Sequence, residues 1–189
     1  MEGSQISLPL ALLAALLLAS ASPTAESRHL HRLDHHRRRH PVPAVSNVCK
    51  RAEFPRLCEA FVPKLRTATA ESVIETTVRA AVSGAKDAKV LADKLMDSPT
   101  TDNEVKGGLD VCRQNFEMLL LDLQKGLENL KGAGSHNNLM SNLSAALADI
   151  DSCDDSFNEA PGLKSPVSHL TSNLRKLALN SLSLAGHLN

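Results

Sequence analysis

The chain has 189 residues, and its 21 Lys and Arg balance its 21 Asp and Glu. It contains no Trp, no Tyr and four Phe, so few rings are present on which a sugar could stack, which argues against a lectin or a glycosidase. From Pro41 onward, Asp and Glu slightly outnumber Lys and Arg, and a nucleic-acid partner would require the opposite balance.

The first 21 residues have the pattern of a secretory signal peptide. Residues 8–18 are an apolar run, and Ala19-Ser20-Ala21 places small residues where a signal peptidase reads. A membrane anchor is the alternative, but the run is well short of the ~20 apolar residues of a spanning helix. We therefore predict a secreted protein with no membrane contact after the signal peptide is cleaved.

Residues 22–45 are predicted to form a disordered, basic arm. Between residues 28 and 40 the chain has five Arg and five His with a single Asp among them. Because like charges repel and little can be buried, no compact structure is expected. The arm is either a solvated linker or, once acidic pH charges its histidines, a contact for a polyanion such as pectin. Processing at Arg37-Arg38-Arg39 and metal binding by His35 and His36 are further alternatives.

Cys49, Cys58, Cys112 and Cys153 are the only cysteines. In an exported chain of this size, an even number of cysteines is typical of disulfides. No two of them are spaced as in a zinc ribbon or a CxxC redox pair. We therefore expect two disulfides rather than a metal or redox site.

Four segments after Cys58 repeat apolar residues at three- and four-residue spacing, which predicts helices. They span residues 68–97, 102–131, 136–157 and 165–187. Proline and glycine separate them, since these residues end helices. No stretch alternates with period two for long enough to predict a strand. The expected fold is all-α, an up-down-up-down four-helix bundle preceded by a short N-terminal helical hairpin.

The expected core-facing positions differ in size between the first two helices. The first helix presents mostly small residues, at Val73, Thr77, Ala80, Gly84, Ala88, Leu91 and Leu95. The second presents larger ones, at Val105, Leu109, Cys112, Phe116, Leu119, Leu123, Leu127 and Leu130. We therefore expect the first helix to pack close to its neighbours.

Helix geometry favours one of the three pairings that four cysteines allow. Cys112 lies 19 residues before Lys131, and Cys153 lies 17 residues after His136. At ~1.5 Å per residue, both are ~26–28 Å from the shared turn, and a disulfide can span that difference. Cys112 is therefore expected to pair with Cys153, and Cys49 with Cys58. The second pair would tie the short hairpin, which either folds on the bundle or projects from it.

No catalytic, cofactor or metal motif stands out. The chain has no GxSxG, HExxH, P-loop or GxGxxG sequence, and we expect no cofactor. Outside the arm, His136, His169 and His187 lie near predicted helix ends, as solvated or capping histidines do. The acidic cluster Asp149, Asp151, Asp154 and Asp155 lacks the glycine of a calcium loop and is interpreted as a solvated helix face.

Asn142-Leu-Ser144 is an N-glycosylation sequon. Its middle residue, Leu143, is expected to face the core, so the sequence leaves open whether Asn142 carries a glycan.

Three motifs in the body resemble one known family. The first is Cys49 to Cys58 with Phe54-Pro55 between them. The second is Gly108-Leu-Asp-Val-Cys-Arg-Gln-Asn-Phe116, and the third is Leu143-Ser-Ala-Ala-Leu-Ala-Asp-Ile-Asp-Ser-Cys-Asp-Asp-Ser-Phe157. Together they resemble the plant invertase inhibitor and pectin methylesterase inhibitor family over residues 46–189.

The resemblance implies a secreted inhibitor in the apoplast, or cell wall, that covers the active site of an enzyme and catalyses nothing itself. It also implies that the stability of the complex depends on pH. Two positions depart from the family pattern. Phe116 stands where Tyr is common, and residues 160–166, Ala-Pro-Gly-Leu-Lys-Ser-Pro, lack a Pro-Lys-Phe motif of the invertase inhibitors. The second departure favours pectin methylesterase over acid invertase as the partner.

The contact surface is expected on exposed faces of the second and third helices, with Arg113, Glu117, Asp122 and Asp151 as candidates. An inhibitor of cell-wall or vacuolar acid invertase is the alternative within the family. A function of another class also fits, in which a non-inhibitory structural protein binds wall pectin through the basic arm. Lipid carriers of similar size usually have eight cysteines, so that class is less favoured.

Overall fold

A computed structural model of the chain describes residues 47–62 and 68–188. Its helices are α1 (Pro55–Phe61), α2 (Ala70–Asp97), α3 (Asn103–Glu128), α4 (His136–Asn158) and α5 (Ser168–Ala185). A short helical turn covers residues 47–49, and no strand occurs among the described residues. The predicted signal peptide and basic arm lie outside these ranges. Within them, no helix is long and apolar enough to cross a membrane.

Helices α2 to α5 form the four-helix bundle that the periodicity predicted. Each packs against the next along the chain, and α5 closes the ring by packing against α2. The connections are short, so neighbouring helices run antiparallel. The predicted all-α fold is thereby confirmed, and both predicted disulfides are present.

The helix ends differ from the predicted ones by a few residues, for local reasons. Helix α2 begins at Ala70 because Thr69 is its N-cap: the Thr69 hydroxyl accepts from the Ser72 N–H (3.2 Å), and the Thr69 N–H donates to the Ser72 hydroxyl (3.0 Å). Helix α5 begins at Ser168 rather than 165, since a residue that precedes proline, here Ser165, disfavours helical geometry. Gly132, with a φ of 89°, ends the wide turn that follows α3.

The buried face of α2 differs from the prediction by about one residue. Val73, Thr77 and Ala88 are buried as expected, whereas Ala80, Gly84, Leu91 and Leu95 are only half-buried. The core is instead completed by Ile74, Val78, Ala81, Ala85 and Ala92. Because small residues occupy the centre of this face, the helix approaches its neighbours closely, and the larger leucines cover the edges.

The core-facing positions of α3 are largely as predicted. Leu109, Cys112, Phe116, Leu119 and Leu123 are fully buried, and the residues nearer its ends are half-buried. Cys112 is bonded to Cys153 of α4, with 4.3 Å between their Cα atoms. This bond closes a loop of 41 residues, which corresponds to roughly 4 kcal/mol in the chain-entropy model.

The N-terminal hairpin folds on the bundle and does not project from it. Cys49 is bonded to Cys58 of α1, with 5.6 Å between their Cα atoms. The buried Asn180 of α5 accepts from the Phe54 N–H (2.6 Å) and donates to the Phe54 carbonyl (3.1 Å). The Ser183 hydroxyl donates to the Arg51 carbonyl (2.8 Å). Helix α1 therefore lies against α2 and α5.

Candidate docking surface

A network of charged side chains joins the outer faces of α2 and α3. Lys89 of α2 contacts Asp93 on its own helix (3.1 Å) and Glu117 of α3 (3.4 Å). Arg113 contacts Asp110 (2.8 Å) and lies 3.9 Å from Glu117. All five side chains are partly or largely exposed, so each pair adds little to stability. The network's main consequence is that it fixes positive and negative charge at defined places on one surface.

Two charges of this network, those of Asp110 and Lys89, persist in mildly acidic solution. The hydrogen bond from Arg113 holds the pKa of Asp110 below its ordinary value, despite a small opposing effect of burial. The hydrogen bond to Asp93 raises the pKa of Lys89, and Glu117 acts in the same direction. Asp110 and Lys89 therefore stay ionised between pH 5 and pH 7.

Exposed apolar side chains lie beside the charges. Val111, Met118 and Leu121 of α3 are 39%, 51% and 44% exposed. Met118 lies seven residues after Val111 and three before Leu121, so these apolar side chains follow the α4-facing edge of the exposed face of α3. Arg113 and Glu117 follow its α2-facing edge, and Leu121 lies one turn after Glu117. We call these five residues the docking patch. Exposed Met and Arg beside aliphatic groups are typical of protein interfaces, although no aromatic anchor is present here.

Two of the four predicted contact residues, Arg113 and Glu117, lie in the docking patch. The prediction for Asp122 was wrong: its side chain is buried between α3 and α4, with Lys125 3.6 Å away. Asp122 lies one turn before Gly126, which packs against Leu143 of α4. The acid is therefore covered by the neighbouring helix instead of facing solvent.

Asp151 is half-exposed, but it lies on the α4–α5 side of the bundle. It forms an ion pair with Arg175 of α5, which also contacts Asp154 (2.9 Å). The Thr171 hydroxyl donates to the same Asp154 (2.6 Å). These contacts tie two helices together, so Asp151 does not share a surface with Arg113 and Glu117.

The acidic cluster on α4 is only in part the solvated face that the sequence predicted. Asp155 is exposed, but Asp149 faces α3, and one of its carboxylate oxygens is buried without a hydrogen-bond partner in the described residues. Burial, together with the negative charge of Asp122, raises the pKa of Asp149 to about 6. Across residues 47–62 and 68–188, no group of three or more His, Cys, Asp or Glu side chains could hold a metal ion.

The described histidines form no catalytic arrangement. His136, His169 and His187 are exposed and lie near different helix ends, as the sequence predicted. A groove of about 640 Å³ runs beside the hairpin and has a largely apolar lining, with Phe54, Pro55, Leu57, Asn173 and Lys176 among its residues. It lies on the α5 side of the bundle, away from the α2–α3 network.

Sequence reasoning missed Lys89, Asp93, Met118 and Leu121. A signal for two of them was present, because Met118 and Leu121 are apolar residues that fall outside the regular core-facing positions of the second predicted helix. Single exposed apolar residues are common, but several of them on one face of a helix mark an interaction surface. Lys89 and Asp93 gave no such signal, since their role depends on which helix lies beside α2.

Comparisons with known proteins agree with the fold and the disulfides. The family model described as plant invertase/pectin methylesterase inhibitor matches residues 43–184. Two solved structures share the fold. A pectin methylesterase inhibitor from Arabidopsis thaliana is 20% identical, with a TM-score of 0.59 over 77% of this chain and 95% of that one. A mutant form of a pectin methylesterase inhibitor from Arabidopsis is 21% identical, with a TM-score of 0.66 over 77% and 97%.

No curated protein sequence matches the chain. At about 20% identity, the solved structures establish the shared fold alone. The family match covers most of the chain and includes all four disulfide-bonded cysteines. The chain therefore belongs to the plant invertase/pectin methylesterase inhibitor family, whose members inhibit enzymes and are not enzymes themselves.

Proposed function

We propose that this protein inhibits pectin methylesterase by placing the docking patch of α3 against the enzyme and covering its active site. The observation that carries the proposal is that Val111, Met118 and Leu121 are exposed on the same surface as the fixed charges of Arg113 and Glu117. Such a surface combines apolar area, which supplies affinity, with charge, which supplies orientation.

The choice of pectin methylesterase rests on two further observations. The segment between α4 and α5, residues 160–166, lacks the Pro-Lys-Phe motif of invertase inhibitors. Two of the solved structures that share the fold are described as pectin methylesterase inhibitors. Acid invertase is the second candidate, because the family includes inhibitors of that enzyme.

Secretion to the cell wall is part of the proposal. The apolar run at residues 8–18 and the small residues after it support export. All four cysteines are oxidised and fully buried, as is typical of proteins that fold in an oxidising compartment.

The proposed complex is pH-dependent, and two of the charges beside the patch do not supply that dependence. Asp110 and Lys89 keep their charges between pH 5 and pH 7. These two charges therefore do not account for a change in affinity over that range, whereas Asp149, whose pKa is about 6 and which lies in the α3–α4 seam, is a group of this chain that titrates within it.

The experiment measures inhibition of pectin methylesterase and of acid invertase side by side at pH 5 and pH 7. We expect inhibition of the first enzyme only, and we expect Met118→Asp and Leu121→Asp to weaken it by about tenfold or more, as buried interface positions do. Ala148→Asp, at an exposed position of α4, is the matched control and should leave inhibition unchanged. Unchanged inhibition by both patch variants would place the contact elsewhere.

Two other outcomes would replace the proposal. Inhibition of acid invertase alone would assign the second candidate. Inhibition of neither enzyme, with loss of retention on pectate when residues 28–40 are deleted, would assign a wall-binding protein without inhibitory activity. An inhibitor should keep its potency after that deletion.

A further inference from the structure

The sequon Asn142-Leu-Ser144 lies in the first half of α4, and its three residues have different environments. Leu143 is fully buried and anchors the helix in the core. Asn142 is half-exposed, and Ser144 is exposed. The side chain that would carry a glycan is therefore at the surface, although its neighbour in the chain is not.

A polar depression of about 350 Å³ opens beside Asn142. It is formed where the end of α3 meets the first turns of α4, and its lining is entirely polar: Lys125, Glu128, Asn129, Asn138, Ser141 and Asn142. Amide, hydroxyl and charged groups of this kind hydrogen-bond to the hydroxyl and acetamido groups of a sugar. The depression offers no aromatic face, so it suits a covalently attached sugar better than a free one.

We propose that Asn142 is N-glycosylated and that the first sugar residues of the glycan lie in this depression, at the α3–α4 seam. An oligosaccharyltransferase would supply the glycan from a lipid-linked oligosaccharide diphosphate. The bond between Asn142 Nδ2 and the anomeric carbon forms as the bond from that carbon to the lipid diphosphate breaks, and the amide loses one proton. Because transfer occurs on the entering chain before it folds, the burial of Leu143 does not oppose it.

The position of the glycan has a consequence for docking, which rests on the proposed function. The depression reaches Lys125, one helical turn beyond Leu121, so the glycan borders the docking patch on its α4 side. An enzyme bound to the outer face of α3 leaves the glycan in solvent, whereas an enzyme bound over the α3–α4 seam would collide with it. The glycan therefore limits how far an enzyme bound to the patch can extend past Met118 toward α4.

The first test is the mass of the full chain secreted from plant cells, before and after treatment with peptide N-glycosidase A. We expect one N-glycan on the native protein, its absence in Asn142→Gln and Ser144→Ala, and its retention in Ser144→Thr. Ser144 is exposed, so the two serine variants should keep the helical circular dichroism of the native protein. Secretion of native and Ser144→Thr protein without a glycan would overturn the proposal.

The second test compares inhibition by glycosylated protein and by Ser144→Ala. We expect equal potency within about threefold, while Met118→Asp loses potency in both backgrounds. A larger difference between the glycosylated and unglycosylated forms would show that the seam belongs to the contact, and would overturn the docking consequence. The mass measurement does not depend on inhibition, so absence of the glycan can be distinguished from absence of inhibitory activity.

Discussion

The side chain of Asn180 makes two hydrogen bonds with the backbone of Phe54, 126 residues earlier in the chain. The amide oxygen accepts from the N–H, and the amide nitrogen donates to the carbonyl, so one side chain satisfies both groups. Asn180 is fully buried, and its amide is thereby paired. This contact holds the disulfide-tied hairpin against α5.

Replacing Asn180 with Ala should destabilise the protein by about 1–3 kcal/mol, because the Phe54 N–H and carbonyl lose their partners. The measurement is the urea midpoint of unfolding. Asn173→Ala is the matched control, since Asn173 lies on the same helix but is exposed. Equal midpoints for the two variants would mean that Asn180 contributes nothing to holding the hairpin against α5.

The adjacent glycines of α3 should respond in opposite ways to alanine. A Cβ at Gly108 would lie 2.7 Å from the Phe157 ring of α4, whereas a Cβ at Gly107 would meet nothing within 4 Å. Gly108→Ala should therefore destabilise by about 1–3 kcal/mol through overpacking. Gly107→Ala should stabilise by about 0.5–1 kcal/mol, since alanine loses less entropy in a helix. Thermal unfolding of the two variants checks the sign, and a stabilising Gly108→Ala would contradict the close packing.

Removing the two disulfides should have unequal effects. In the chain-entropy model, the 41-residue loop closed by Cys112 and Cys153 corresponds to about 4 kcal/mol, and the nine-residue loop closed by Cys49 and Cys58 to about 2.5 kcal/mol. All four sulfurs are fully buried, so paired replacements with Ala remove similar contacts. Denaturant unfolding of the two double variants measures which disulfide contributes more to stability. A greater loss from the hairpin pair would show that the hairpin holds the bundle together.

The bundle could be predicted from the sequence because its long helices carry regular apolar stripes, and because Cys112 and Cys153 lie level on two of them. Which face of α2 is buried could not be predicted from the sequence. Alanine and other small residues occupy adjacent positions along it, such as Ala80 and Ala81, so two stripes one residue apart are nearly equal in apolar character. Only the shape of the neighbouring helices selects between them.

The docking surface could be predicted less completely, for a related reason. The helical phase placed Arg113 and Glu117 on the outer face, but Asp122 lies at its edge, where packing against α4 decides whether the side chain is buried. Asn180 was not identified as buried, because its partner is a distant backbone segment. Polar residues at the edge of an apolar stripe depend on tertiary contacts that periodicity does not contain.

Asp149 and Asp122 place two carboxylates in the seam between α3 and α4, and Lys125 lies 3.6 Å from Asp122. The pKa of Asp149 is about 6 in the folded protein, against an ordinary 3.8. Since the unfolded chain releases this proton at lower pH, ionised Asp149 opposes folding above pH 6. The folded state should therefore gain stability as pH falls from 7 toward 5, and this gain should level off near pH 4.

Asp149→Asn should raise stability at pH 7 and flatten its rise between pH 7 and pH 5. Because Asp149 is partly exposed, we expect a change of about 1–2 kcal/mol, below the value that the full pKa shift would give. Urea unfolding at several pH values measures it. Asp155→Asn, an exposed position on the same helix, removes one charge in the same way, so an effect shared by both variants reflects net charge. If stability changed with pH in Asp149→Asn as it does in the native protein, this carboxyl would not titrate in the seam.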